Sequence, residues 1–422
     1  MANYASYKLL QPRVILIVLL VAAVFTRVGA RLIFGEEYFW VNSYFVYYEL
    51  AENLILGKGL CLETTCAFLP PLYPLFLTIS VLAGKNWLLI IVPQALLGAG
   101  TALCAFLIGR QLFNATTGLL ACAITAFYPY YVMHDTALQE TGMITFLTAL
   151  SVWLLMRTSK MDRNSDWFIA GLALGMIVLT RASAASIVGV ALLWTAVWGA
   201  RGSAWKRSQK VSILLLATIV MLGPWLIETY RNTGRPVLNS QTGWALWVGN
   251  NPETFSFYPD RSIDRSADEA SLKLAPADQA ELDRLSNDEI ATSDWFAHRA
   301  LEYISASPWR FLKAAARKIE AGFSWRLNPV WEPLAQAAYA IGYVPVALLG
   351  IVGMFRAWRK REVILVALLF ISFVVVTAVF WSHTSHRSYL DVYWIIFAAS
   401  VLEGALRLIM PASCKQLGWA NI

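Results

Sequence analysis

Residues 363–381 read VILVALLFISFVVVTAVFW, nineteen positions without a charge. At ~1.5 Å per residue a helix of that length is about 28 Å long, close to the ~30 Å thickness of a bilayer's hydrocarbon core. The run is apolar on every face, so the solvent it is built for is lipid. Arg356, Arg359, Lys360 and Arg361 precede it; His383, His386, Arg387 and Asp391 follow it. The stretch thus sets one basic end and one end rich in mixed ionisable groups.

Working outward, runs of the same kind recur. They predict spans at 13–34, 87–109, 116–133, 141–156, 167–182, 185–199, 211–229, 335–355, 363–381 and 391–409. Composition agrees: 58% of the 422 residues are hydrophobic and 14% charged, where soluble domains carry about 25% charged residues. The fold class is therefore all-α integral membrane. The first apolar run, from Val14, has no small-residue cleavage site and reads as a retained helix. The net charge of +7 falls in short loops between spans, which is the positive-inside pattern and no sign of a nucleic-acid partner. The clusters Arg157/Lys160/Arg163, Arg201/Lys206/Arg207/Lys210 and Arg356/Arg359/Lys360/Arg361 lie on one side of a ten-span topology with both termini cytoplasmic, and Lys8 and Arg13 agree. Arg27 and Arg31 do not, since they stand near the outer end of the first span. They read either as snorkelling side chains or as functional ones.

This topology divides the chain into a membrane module at 1–230 with a first outer loop at 35–86, an outer domain at 231–333, and closing spans at 334–422. Tyr44–Leu56 is amphipathic. Pro308 breaks a second amphipathic stretch, 295–324, into two helices. The unusual polar residues collect on the outer side: Glu36, Glu37, His134, Asp135, Glu140, Arg181, His383, His386, Arg387 and Asp391. An ionisable group at the centre of a span costs on the order of 2.5–3.5 kcal/mol, so such residues persist near span ends through snorkelling or through use. His383 and His386 form a candidate metal pair, and dependence on a divalent metal stays open. Arg387 beside His386 reads as an anion site, or as a plain interfacial arginine. Cys61 and Cys66 share one loop and can pair in an oxidising compartment, whereas Cys104 and Cys122 fall in apolar spans.

Several ordered motifs give the chain a resemblance. Tyr47-Tyr48-Glu49-Leu50-Ala51-Glu52-Asn53-Leu54 with Gly57-Lys58-Gly59 is followed by Pro70-Pro71-Leu72-Tyr73-Pro74. Then come Tyr128-Pro129, Leu138-Gln139-Glu140-Thr141 and Leu179-Thr180-Arg181. Further on stand Gly234-Arg235-Pro236-Val237, the stretch from Gly243-Trp244 to Asn250-Asn251-Pro252, and Ala300-Leu301-Glu302-Tyr303-Ile304 with Pro308 and Lys318. Together they resemble the C-type-fold integral membrane glycosyltransferases, in the family-39-like branch related to protein O-mannosyltransferases and the lipid A aminoarabinose transferase.

The resemblance implies a bacterial inner-membrane enzyme whose active site faces the periplasm or exterior. It implies a polyprenyl-phosphate-linked sugar donor, a lipid, polysaccharide or protein acceptor, contact with membrane lipids, and inversion at the sugar carbon. It also implies a general-base carboxylate in the first outer loop, about four residues before Tyr47. Here that place holds Ser43, with Asn42 before it, and neither side chain is a base at neutral pH. Three outcomes follow: Glu36 or Glu37 reaches in from a shifted loop, Asp135 serves, or the chain binds lipid-linked sugar without transferring it. The reading favours an enzyme using Glu37 or Asp135. Arg387 with His386 is the first choice for the donor phosphate, with Arg181 and Lys58 behind. His134, Glu140, Asn250 and Asn251 are candidates for substrate contact. A secondary transporter is the remaining alternative, but no repeated halves are seen.

Overall fold

The structure is a computed structural model that describes residues 12–328 and 330–409; Lys8 lies outside them. It is all-helical among the described residues apart from an isolated bridge between Leu62 and Thr65. Eight helical segments are long and apolar enough to cross a membrane: Pro12–Val41, Leu88–Leu112, Thr141–Met161, Ala182–Gly199, Ala204–Thr233, Pro333–Arg356, Arg361–Val379 and Thr384–Leu408. Ala115–Phe127 and Asn164–Thr180 are shorter apolar helices standing where the other two spans were expected. The chain is a multi-pass membrane protein. Its helices show apolar side chains outward, Ile33 being 85% and Leu334 82% exposed, as suits surfaces whose solvent is lipid.

Local chemistry sets the helix ends. Asn114 and Ser203 accept hydrogen bonds from the amides of Thr117 and Lys206, capping Ala115–Phe127 and Ala204–Thr233. The latter ends at Gly234, whose φ of 73° is the left-handed geometry that a side chain would resist. Asn164–Thr180 lies close against Ala204–Thr233 because Gly171 and Gly175 are bare: a Cβ at Gly171 would stand 2.7 Å from the Ala217 Cβ.

The two ends of the bundle differ. At one end the three basic clusters meet. Lys210 Nζ donates to the Asp162 carbonyl (2.9 Å) and to Asn164 Oδ1 (2.8 Å), Trp194 Nε1 donates to the Arg361 carbonyl (2.8 Å), and Lys360 reaches the Leu112 carbonyl. At the other end lie the segment with helices Val46–Ile55 and Leu72–Leu82 and a polar domain between residues 234 and 332. The polar domain has five helices: Thr242–Val248, Ile263–Leu272, Pro276–Leu285, Glu289–Ala306 and Pro308–Gly322. Asp288 caps the fourth and the Pro308 break separates the fourth from the fifth. Its small core of Trp247, Val248, Ile263, Ala267, Ala270, Ala300 and Ala321 packs against Trp381, at the end of a span.

Several hydrogen bonds fasten the polar domain. Glu289 accepts from the amides of Cys66 (2.8 Å) and Ala67 (3.1 Å), and the Ser240 amide donates to the Ala67 carbonyl (2.6 Å). Cys61 and Cys66 form a disulfide, closing the loop that presents those amides. Asn250 Nδ2 donates to the Val379 carbonyl (2.7 Å), and Gly249 sits so tightly on the Phe380 carbonyl that a side chain there would collide with it.

Candidate functional site

Three arginine–carboxylate pairs gather where the helices meet the polar domain and first loop. Two are sealed. Arg27 Nε lies 2.8 Å from Asp135 Oδ2, and its other nitrogens donate to the carbonyls of Ala23, Ala126 and Thr125. Asp135 is 1% exposed and its own carbonyl is held by Gln94 Nε2 at 2.8 Å. Arg387 contacts both oxygens of Asp391 at 3.0 and 3.3 Å, donates to the Tyr339 hydroxyl at 2.9 Å, and lies over the Tyr343 ring at 3.8 Å. Tyr128 donates to Asp391 Oδ2 at 3.1 Å, completing the enclosure. The charge of Asp135 and that of Arg387 are thus spent inside the protein, and neither side chain presents itself to a ligand.

The third pair is open. Arg181 closes the gap between Asn164–Thr180 and the next segment, and its Nε and Nη2 both donate to Glu140 Oε1, at 3.0 and 2.7 Å. The two side chains are 15% and 14% exposed. Both Arg181 bonds fall on Oε1, and a hydrogen bond from the Tyr47 hydroxyl also reaches this carboxylate. Burial pushes the Glu140 carboxyl up, but Arg181 and Tyr47 outweigh it and hold it below the usual carboxylate range. Tyr44 stands alongside, within the field of both Glu140 and Asp264, a residue in the first turn of Ile263–Leu272.

His134, His383 and His386 are packed against aromatic rings. His134 stacks on Tyr130 with ring centroids 4.0 Å apart, and its Nδ1 is 3.0 Å from Gln139 Nε2. Burial, with Arg31 nearby, brings it down to about 3. His383 and His386 also stack, 4.0 Å apart and 28° from parallel, with Trp381 against both. His383 Nδ1 accepts from the Ser385 amide at 3.3 Å, and burial lowers the ring to about 4. Face-to-face rings do not converge their lone pairs on one point. Among the described residues no group of three or more His, Cys, Asp or Glu is placed to hold a metal ion.

The other expected residues spread out. Glu36 and Glu37 are exposed, Glu36 accepting from Trp40 Nε1 at 3.1 Å. Lys58 is exposed on its loop. Asn42 and Ser43 turn back on their own helix, donating to the carbonyls of Tyr38 (2.9 Å) and Phe39 (2.6 Å). Asn250 and Asn251 are 2% exposed, Asn251 Nδ2 donating to the Trp247 carbonyl at 2.8 Å and Asn250 Oδ1 accepting from Lys318 at 3.1 Å. These asparagines build the turn that docks the polar domain.

A cavity of about 220 Å³ reaches Gln139, the residue before Glu140. Its walls come from Pro12–Val41 (Arg31, Tyr38, Asn42), the 129–139 segment (Tyr130, Met133, His134, Gln139) and the start of Pro333–Arg356 (Ala335, Ala338, Tyr339), with Leu327 and Trp331. Arg31 and Tyr130 were not singled out for this site by motif. Arg31 did stand out as a basic residue on the wrong side of the charge rule.

Residues 69–227 match the family described as dolichyl-phosphate-mannose-protein mannosyltransferase. Over 181 residues the chain is 25% identical to the Bacillus subtilis (strain 168) protein named "Putative mannosyltransferase YkcB", a match covering 42% of this chain and 25% of that protein. Two structures of an Archaeoglobus fulgidus oligosaccharyltransferase share the fold at 12% identity. The apo form superposes with a TM-score of 0.54 over 96% of this chain and 52% of that one. The form holding an inhibitory peptide and a dolichol-phosphate superposes with a TM-score of 0.53 over 97% and 53%. The chain therefore spans about half the length of its structural relatives and a quarter of the curated one. By its ordered membrane helices, inserted polar domain and these matches, the chain has the C-type fold of integral membrane glycosyltransferases.

Proposed function

We propose that this protein moves a sugar from a polyprenyl-phosphate donor to an acceptor hydroxyl, inverting the sugar carbon, at the membrane face that carries the polar domain. The basic clusters at the opposite end of the bundle support a cytoplasmic assignment for that end, leaving the site on the periplasmic or external side. The dolichol-phosphate bound to the archaeal relative supports a lipid phosphate as the leaving group.

The observation that carries this reading is the open Glu140–Arg181 pair. Arg181 holds the Glu140 carboxyl below its usual range through Oε1 and does not itself engage Oε2. In the reaction Glu140 takes the proton of the acceptor hydroxyl. The acceptor oxygen bonds to the sugar's C1, the bond from C1 to the phosphate oxygen breaks, and the lipid phosphate leaves with the electron pair. Glu140 thereby replaces Glu37 and Asp135 as the proposed base: Asp135 is locked to Arg27, and Glu37 is exposed. His134 lines the cavity, and burial holds it and His383 below the ordinary imidazole range.

Glu140→Gln keeps the shape and removes the base. Purified in detergent and given a polyprenyl-phosphate sugar, it is expected to lose about 10²–10⁴-fold in transfer while still binding donor. Transfer at the parent rate would sink the proposal. A second reading, binding of lipid-linked sugar without transfer, is favoured by Asn42 and Ser43, whose side chains are consumed by their own helix. A parent protein that binds donor and transfers nothing decides for it.

A further inference from the structure

Arg31 has no charge partner among the described residues. Its Nε donates to Thr136 Oγ1 at 2.9 Å and its Nη2 to the Met133 carbonyl, both neutral. It is 5% exposed, within a membrane helix, and it lines the 220 Å³ cavity. Burying a cation with neutral partners alone is costly, and an unneutralised arginine at membrane depth marks a place where an anion binds. One guanidinium edge is used for positioning, and the fork retains donors for a second partner.

The rest of the cavity says what kind of anion. Pro12–Val41 and Pro333–Arg356 both pack on Pro129–His134, which forms the back wall, and scarcely touch each other. Both helices carry strongly exposed apolar side chains, Ile33 on the first and Leu334 on the second. Deeper in, Ala335 and Ala338 leave room beside the rings of Tyr130 and Tyr339. A ligand entering here has an apolar chain that stays in the bilayer and a compact anionic head.

We infer that Arg31 binds the phosphate group of a polyprenyl lipid whose chain leaves the cavity between Pro12–Val41 and Pro333–Arg356. This deepens the transferase reading by giving the donor's phosphate a place, and the donor-phosphate role passes from Arg387 to Arg31. It requires the phosphate and the chain, not the sugar, so it can fail or stand separately from transfer.

Native mass spectrometry of the full chain in detergent tests it with farnesyl monophosphate, inorganic phosphate and farnesol. The parent is expected to bind farnesyl monophosphate more than tenfold tighter than either half-ligand. Arg31→Met is expected to lose that advantage while farnesol binding is unchanged, and Arg31→Lys to retain part of it. Because Arg31 also ties Thr136 and Met133, Ala338→Phe serves as a second variant that fills the cavity and leaves the charge in place; it too is expected to lose farnesyl monophosphate by more than tenfold. Parent-like binding by Arg31→Met, or by Ala338→Phe, overturns the inference. So does inorganic phosphate binding as tightly as the lipid phosphate. Arg31-dependent binding in a protein that transfers no sugar leaves the phosphate site standing and removes the transferase reading.

Discussion

Arg27 and Arg31 lie one helical turn apart on the same helix, both buried, yet their surroundings are opposite. Arg27 meets a carboxylate 2.8 Å away and three backbone carbonyls, so its charge is cancelled in place. Arg31 meets a hydroxyl and a carbonyl and faces a cavity. The first is what a charge looks like when the fold uses it. The second is what a charge looks like when something else is meant to complete it. The same contrast separates the enclosed Arg387–Asp391 pair from the open Arg181–Glu140 pair.

The largest stability effect tests the sealed side of the comparison. Arg27→Met strands Asp135 as an uncompensated buried carboxylate and is expected to cost about 3–5 kcal/mol. Arg31→Met removes hydrogen bonds to neutral groups and is expected to cost about 1–3 kcal/mol. Denaturant titration of both variants in one detergent, followed by tryptophan fluorescence, checks the order. Equal losses would mean that the charged partner of Arg27 contributes nothing particular, and the distinction between the two sites would not hold.

An effect smaller than that at Arg27 is expected at Glu289, the anionic counterpart of Arg31. It is satisfied by backbone amides of Cys66 and Ala67 rather than by a cation. Glu289→Gln weakens charge-assisted bonds and is expected to cost roughly 1.5–3 kcal/mol. Proteolysis of the first loop reads the loss, since these amides hold that loop to the polar domain. Unchanged cleavage would show that the disulfide between Cys61 and Cys66 fixes the loop unaided.

Much of the fold was legible in the sequence because lipid imposes a simple rule: a long uncharged run such as 363–381 has little choice but to cross. All ten expected spans coincide with apolar helices. The roles of single charges were harder to read, because pairing is tertiary. Asp135 finds Arg27 across 108 residues, and Glu140 finds Arg181 across 41. No local pattern announces either. Two signals were present. Arg387 and Asp391 are four apart, the spacing of neighbours on one helix face, a signal that the assignment of Arg387 to the donor phosphate passed over. Arg31 broke the positive-inside rule, and its cavity gives that departure a physical reason.

Lys318 extends the comparison to a third case, a charge with neutral partners and no cavity. It is fully buried in Pro308–Gly322, where its Nζ donates to Asn250 Oδ1 and to the Val379 carbonyl, both at 3.1 Å, with the Phe311 ring 5.3 Å away. No carboxylate among the described residues answers it. Burial brings the amine from 10.5 down to about 7. Between those values the unfolded chain holds a proton that the folded one does not, so stability rises with pH across this window and is least below it. From pH 6 to pH 8 the gain is about 1.4 kcal/mol, the smallest effect considered. Thermal unfolding at both pH values measures it. In Lys318→Met this slope is expected to vanish. A variant that keeps the slope would show that Lys318 retains its proton in the folded chain, and a sealed cation without a carboxylate would then be less costly than the contrast between Arg27 and Arg31 requires.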